Sequence, residues 1–94
     1  MAKTNGIGAL AYSTAGRDQG RLFLIVGMVD DRTALIADGR LRKVGTPKKK
    51  KLKHLTIVSE SSEDCRQRLL TGQVTDAYVR RTLEQSDGLS DDLI

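Results

Sequence analysis

The sequence is poor in several residue types that would otherwise point to a particular class of protein. A single cysteine, Cys65, excludes an internal disulfide framework, and a single histidine, His54, excludes a zinc site made only of Cys and His within the chain. No apolar run approaches the roughly 18 residues that a membrane span needs, and the N-terminus lacks the apolar core of a secretory signal peptide. These absences predict a small soluble cytoplasmic protein of one domain.

Motifs of catalysis are also missing. The chain has no GxxxxGK[ST] phosphate loop and no GxSxG nucleophile elbow. Cys65 and His54 could form a nucleophile–base pair, but Asp64 beside the cysteine would oppose thiolate formation. We therefore expect no enzymatic activity, no metal and no cofactor.

What the chain does have is one concentrated block of positive charge. The segment "RLRKVGTPKKKKLKH" (40–54) holds eight of the sixteen lysines and arginines and no acidic residue. Residues 1–39 balance four basic against four acidic groups, and residues 55–94 carry four basic against eight acidic groups. The sequence thus has a neutral body, a cationic segment and an acidic C-terminal part.

The residue pattern over residues 7–58 predicts β-structure. Alternation, branched residues and turn residues favour five short strands. They are expected at 7–13, 21–29, 33–38, 40–44 and 51–58. The second, "RLFLIVGMV", is apolar on both faces, so it must be covered on both sides, by a curled sheet or by a helix. The prediction is a mainly β protein, a small five-stranded antiparallel barrel with a short C-terminal helical appendage.

Residues 59–86 change to a helical pattern. Ser61 or Ser62 is suited to cap a first helix that ends near Gly72, and Thr75 or Asp76 is suited to cap a second, with Gly88 beyond its end. Their thin apolar stripe could pack on the barrel or on a partner. Residues 87–94 are expected to form an acidic, frayed tail.

The stretch "LAYSTAGRDQGRLFLIVGMVDDRTALIADG" resembles the KOW motif, with Gly20 at the place of the motif's glycine. Joined to "IADGRLRKVGTPKKKKLKHL", it is similar to bacterial KOW-domain RNA-binding proteins, and these to the KOW-type large-subunit ribosomal proteins of archaea and eukaryotes. The likeness covers residues 7–58 well and residues 60–86 loosely, and the acidic, shorter C-terminus departs from the ribosomal members. The resemblance implies an SH3-like barrel and RNA binding at or near the ribosome or the transcription machinery, in a bacterial cytoplasm.

The basic segment supplies the candidate RNA contacts. Lysines that neutralise phosphates release counterions, and Pro47 stiffens the start of the lysine run. The predicted RNA-binding residues are Arg17, Arg21, Arg40, Arg42, Lys43, Lys48, Lys49, Lys50, Lys51 and Lys53. Gly16 and Gly20 are expected to serve the geometry of the loop before the second strand.

The scarcity of aromatic residues indicates how RNA would be bound. Tyr12 and Phe23 lie in apolar alternation and are expected in the core, which leaves few rings on which bases could stack. The expected mode is recognition of backbone phosphates in structured RNA, with ribosomal RNA as the implied partner. His54 is expected to be a half-buried structural residue.

Other interpretations of the basic segment stay open. It could be a solvated loop or a nuclear-import signal. A polybasic membrane patch is possible in principle, but no lipidation motif or adjoining amphipathic helix supports it, so no membrane partner is expected. The alternative function is a protein-interaction module of a ribosome- or transcription-associated complex, docked through the C-terminal helices. A further hypothesis is that Asp87, Asp91 and Asp92 fold back on the lysines and compete with RNA.

Overall fold

The structure, a computed structural model, describes residues 6–60 and 63–92, with side chains described as far as residue 85. Its elements in chain order are β1 (Leu10–Ser13), β2 (Leu22–Met28), β3 (Thr33–Ala37), β4 (Lys48–Lys51), β5 (Leu55–Ser59), α1 (Glu63–Leu70) and α2 (Asp76–Asp92). The strands form one antiparallel sheet in the order β4-β3-β2-β1-β5. The protein is therefore mainly β with a C-terminal helical part. Because β4 and β5 are the two edges, strand pairing does not close the sheet.

The fourth strand is not where the sequence predicted it. Residues 40–44 form turns, because the Asp38 carboxylate accepts the backbone N–H groups of Arg40 and Arg42, each at 2.9 Å. Such local side-chain bonds compete with a strand ladder. The strand is instead the lysine run 48–51, which pairs with β3. The predicted strand 51–58 likewise begins only at Leu55, after a 3-10 turn at Leu52–His54.

The prediction that the second strand is covered on both faces is confirmed. Phe23 and Ile25 of β2 lie in one core together with Ala11 and Ile36, whereas Leu24 lies in a second core beneath the helices. The remaining buried members of the second core are Leu10, Cys65, Val79 and Leu83. Burying apolar side chains on both sides of one strand is the main stabilisation available to so small a sheet.

A β-bulge changes which face the end of β2 presents. The register with β3 runs Ile25↔Ile36 and then Gly27↔Leu35, so Val26 is the extra residue. An extra residue reverses the alternation beyond it, and Met28 accordingly packs with Phe23 rather than with Leu24. Strict alternation with a period of two would predict Met28 on the face of Leu24, and the bulge makes that prediction wrong.

The helices lie on the sheet, and α2 contacts β2 directly. Gly72 has φ +73° just after α1, a conformation common at helix ends and easily adopted by glycine. Thr75 caps α2, because its hydroxyl accepts the Tyr78 N–H at 3.1 Å. The predicted caps of α1, Ser61 and Ser62, lie outside the described residues. The helix α2 passes through Gly88, so the prediction that Gly88 lies beyond its end was wrong. A helical glycine costs only about 1 kcal/mol, which does not force a stop.

The acidic C-terminal residues 87–92 form the last turns of α2, and residues 93–94 lie outside the described part. The predicted fraying of this segment stays a prediction. Within the described residues, no helix is both long enough and apolar enough to span a membrane.

Candidate nucleic-acid interface

The four lysines of β4 alternate between two environments. Lys48 and Lys50 pair with Ile36 and Ala34 of β3, both fully buried in the sheet core, and Lys50 itself is only 9% exposed. Their ammonium groups reach across to the loop between β1 and β2. Lys50 Nζ donates to the Ala15 carbonyl at 2.9 Å. Lys48 Nζ makes a 2.5 Å ion pair with Asp18 Oδ2. These two lysines hold the loop to the sheet.

Asp18 is the anionic centre of this arrangement. It is 5% exposed, in a 3-10 turn formed by residues 16–18. The hydrogen bond from Lys48 lowers the pKa of its carboxyl against the opposing effect of burial, with help from the charges of Lys48, Arg42 and Lys50. The carboxylate is thus ionised and surrounded by cations. The partly buried ion pair with Lys48 thus ties this loop to β4.

The two glycines assigned to loop geometry both have positive φ, +78° at Gly16 and +86° at Gly20. A Cβ on Gly16 would lie 3.3 Å from Lys50 Nζ, whereas nothing lies within 4 Å of one on Gly20. Gly16 therefore serves close packing as well as the turn, and Gly20 serves the turn alone.

Lys49 and Lys51 point to the opposite side of β4 and are exposed. Beside Lys51, Arg32 and Lys53 line a shallow cavity of about 250 Å³ together with Asp31 and Leu52. The turn that carries Arg32 is tied to β4, because the Arg32 carbonyl accepts the Leu52 N–H at 2.8 Å. We call Arg32, Lys49, Lys51 and Lys53 the basic edge. None of the four makes an ion pair with another residue of the described part.

Arg32 was missed from the sequence, where it stands in a turn after two aspartates. Arg32 directly precedes Thr33, the residue that pairs with Lys51, and this position is what indicates that Arg32 lies beside the lysines of β4. That signal can be read only once the register of β4 on β3 is known. Hydrophobic patterning could not supply it, because all four residues of β4 are lysines.

The turn that carries Arg40, Arg42 and Lys43 is fastened to α2. The Val44 N–H donates to Asp76 Oδ1 at 2.8 Å, and Arg80 Nη1 donates to the Gly39 carbonyl at 2.7 Å. A Cβ on Gly39 would stand 2.5 Å from the Asp76 carbonyl oxygen, so only glycine allows this approach. The helix therefore fixes where this part of the basic segment lies.

Some of the other predicted RNA-binding residues form ion pairs, and some do not. Arg21, which is partly exposed, pairs with the buried Asp38 at 3.0 Å, and Arg40 pairs with Glu84 at 2.7 Å on the exposed surface. Arg17 and Lys43 are exposed, Arg42 is half-buried near Asp18, and none of these three has an ion pair within the described part of the chain. The fold thus separates cations that have a carboxylate partner from cations that have none among the described residues.

Two of the expectations for single residues are confirmed and one was wrong. Phe23 is fully buried, and His54 is half-buried, with its carbonyl accepting the Thr14 N–H at 2.9 Å. Tyr12, expected in the core, is 37% exposed. It lies on the helix-bearing face of β1, two residues beyond the buried Leu10, at a cleft that it lines together with Leu83 of α2.

Cys65 lies in the core between the helices and the sheet, where its thiol donates to the Gly8 carbonyl at 3.9 Å. Burial, and secondarily the charge of Asp64, raise the pKa of the thiol, which favours the neutral form. Across the described residues, no group of His, Cys, Asp and Glu side chains could hold a metal ion. The side chains of Asp87, Asp91 and Asp92 lie outside the described part, so their predicted competition for the lysines stays a hypothesis.

The fold and this surface define a small, mainly β protein. It presents a basic strand at one edge of its sheet and carries two helices on one face of that sheet. The chain is 34% identical over 73 residues to a protein of Bacillus subtilis (strain 168) named "Putative ribosome-binding protein YbzG". The matched region is 77% of this chain and 99% of that protein. The chain belongs to the same family as YbzG. No protein-family model matches it, so the KOW resemblance stays a prediction.

Proposed function

We propose that this protein binds structured RNA of the ribosome through backbone phosphates, without enzymatic activity, in the cytoplasm of a bacterium. The observation that carries the proposal is the basic edge. Two of its four cations stand on β4 and the other two on the adjoining turns at Arg32 and Lys53, and no described carboxylate forms an ion pair with any of them. The name of the relative YbzG, which refers to ribosome binding, gives the setting.

The physical basis is counterion release. Lys49 and Lys51 are two residues apart on one strand, so their Cα atoms stand about 7 Å apart along it and both side chains leave the same face. A polynucleotide that lies along β4 can therefore meet both ammonium groups. Four phosphate contacts would give a slope of about −3 in a plot of log affinity against log salt. Cations that have a carboxylate partner, such as Lys48, should add little to that slope.

The KOW resemblance and the SH3-like barrel are part of the same proposal. An antiparallel sheet with a buried interior and a 3-10 turn between β4 and β5 is compatible with such a barrel. The loop from Ala15 to Gly20, which resembles the KOW loop, is attached to β4 by Lys48 and Lys50. On this proposal the loop supports the basic strand, and Arg17 is its exposed cation.

The test is RNA binding measured against salt concentration for the wild type and for the double variant Lys49→Ala/Lys51→Ala. Loss of two phosphate contacts should make the slope shallower by about 1.4 to 1.8. The matched control, Arg68→Ala/Arg81→Ala, removes the same charge from the helices and should leave the slope nearly unchanged. An unchanged slope in the lysine variant, or an equal change in the control, would refute the proposal.

One observation favours a second function, that of a protein-interaction module. The outer edge of β5 exposes Ile57 and Val58, 47% and 46% accessible, on a strand that pairs on one side only. An exposed sheet edge of this kind can accept a strand from a partner protein. Nuclease treatment of a pulldown separates the two functions, because a protein contact would survive it and an RNA-mediated contact would not.

A further inference from the structure

We propose that a cleft between the β1–β2 hairpin and α2 binds one unpaired nucleotide of the bound RNA, with its base stacked on Tyr12. This inference rests on the proposed function, and it adds a site that reads a nucleotide rather than a phosphate. It also replaces the expectation that the protein recognises backbone alone, which followed from placing Tyr12 in the core.

The cleft has a volume of about 380 Å³, which is at the lower end of the range for small-ligand sites. Its apolar walls come from Tyr12, Leu22 and Leu83, and its cationic groups are Arg21, Arg40 and Arg80. Two carboxylates, those of Asp38 and Glu84, complete the polar rim. The size suits a single nucleotide better than a longer stretch of chain.

Tyr12 is the ring that makes base stacking possible. The chain has only three aromatic residues, of which Phe23 is fully buried and Tyr78 is half-buried with the Arg68 guanidinium 4.9 Å from its ring centroid. Tyr12 by contrast is exposed at the cleft. A base stacked on an aromatic side chain gains about 1–3 kcal/mol irrespective of its sequence.

Each of the three guanidiniums already has a partner in the cleft or beside it. Arg21 is held by Asp38, Arg40 by Glu84, and Arg80 by the Gly39 carbonyl, at 3.0, 2.7 and 2.7 Å. Each of these contacts uses a single terminal nitrogen, and a guanidinium carries five N–H donors. The remaining donors can meet the phosphate on either side of the bound nucleotide or the edge of its base.

The carboxylates argue for a base in the cleft rather than for a phosphate alone. Asp38 is fully engaged, because its oxygens accept from Arg21 and from the backbone N–H groups of Arg40 and Arg42. Three cations against two anions leave only a small local excess of positive charge. A site for phosphate alone would be expected to have fewer carboxylates. An aromatic wall with oriented donors at its rim instead fits a nucleoside whose phosphates lie outward, toward the Arg40–Lys43 turn.

The experiment uses two RNA hairpins that differ by a single bulged 2-aminopurine nucleotide, whose fluorescence is quenched when it stacks. The wild-type protein should bind the bulged hairpin at least about fivefold more tightly and quench its fluorescence. Tyr12→Leu, which keeps apolar bulk at an exposed position, should remove both effects. Tyr12→Phe should retain both, because the ring remains. Circular dichroism of each variant verifies the fold.

Each outcome decides the proposal. No preference for the bulge in the wild type, or a preference and quenching that survive in Tyr12→Leu, would overturn it while leaving salt-dependent RNA binding intact. The variant Lys49→Ala/Lys51→Ala should weaken binding to both hairpins and keep their ratio, so the two functions fail separately. Binding of adenosine 5′-monophosphate alone with an affinity equal to that for the bulged hairpin would show a free-nucleotide site and contradict the RNA assignment.

Discussion

The two faces of β4 carry the same residue type and serve opposite purposes. Lys48 and Lys50 face the sheet core and bind Asp18 and the Ala15 carbonyl, whereas Lys49 and Lys51 face outward with no ion pair among the described residues. A run of identical cations is thus half structural and half available to a ligand. The alternation of a strand, and not the charge itself, makes the difference.

The largest difference is expected in stability between Lys50→Ala and Lys49→Ala. Lys50 is nearly buried and donates to Ala15, so its loss removes both a hydrogen bond and the packing of its aliphatic stem. We expect Lys50→Ala to lower the free energy of unfolding by about 1–3 kcal/mol, measured by urea denaturation. Lys49→Ala should stay within about 0.5 kcal/mol. Equal losses would show that β4 does not have two distinct faces.

The next largest effect on stability is expected at Asp18, the ion-pair partner of Lys48 on the inward face of β4. Asp18→Asn removes the ion pair with Lys48 and should cost about 1–2 kcal/mol near neutral pH. Because the folded-state pKa of Asp18 is lowered, its contribution is fully present above the unfolded value of about 3.9 and is lost as pH falls through the folded value. The gap between wild type and variant should therefore shrink in acid. A gap independent of pH down to strong acid would contradict the lowered pKa.

The third prediction compares the outward and inward lysines of β4 in the salt dependence of RNA binding. Lys51→Ala should make the salt slope shallower by about 0.7 to 0.9, the value of one phosphate contact. Lys48→Met, which keeps an aliphatic stem but removes the ion pair, should change the slope much less, although it lowers stability. The measurement is RNA affinity across a salt series, made where both variants are folded. A larger slope change for Lys48→Met than for Lys51→Ala would mean that the inward lysine, and not the outward one, contacts the RNA.

The smallest effect is expected at the ion pair between Arg40 and Glu84, in which both side chains are more than half exposed. Solvent screens such a pair, so Glu84→Gln should change the free energy of unfolding by no more than about 0.5 kcal/mol. Thermal denaturation of the two proteins side by side verifies this. A loss as large as that of Asp18→Asn would mean that the contact to α2 stabilises the fold far more than its exposure suggests.

Much of the architecture could be predicted from local sequence. Pattern and residue type predicted the positions of β1, β2 and β3, the coverage of β2 on both faces and the burial of Phe23. They also predicted a cap of α2 at Thr75 or Asp76, of which the structure has Thr75. The fourth strand could not be predicted in this way. "RLRKV" alternates like a strand, but Asp38 draws its backbone into a turn, and the lysine run has no apolar alternation to reveal that it pairs with β3.

The sequence by itself determined that the positive charge is concentrated in one segment, because eight of the sixteen cations stand within fifteen residues that contain no acid. Only the tertiary structure decided which of them are available. Strand alternation directs every second lysine of β4 toward the buried Asp18 loop, and the register on β3 brings Arg32 beside Lys51. These contacts join residues far apart in the chain. Their free energy depends on the distance between the groups in space, which cannot be deduced from the neighbouring sequence.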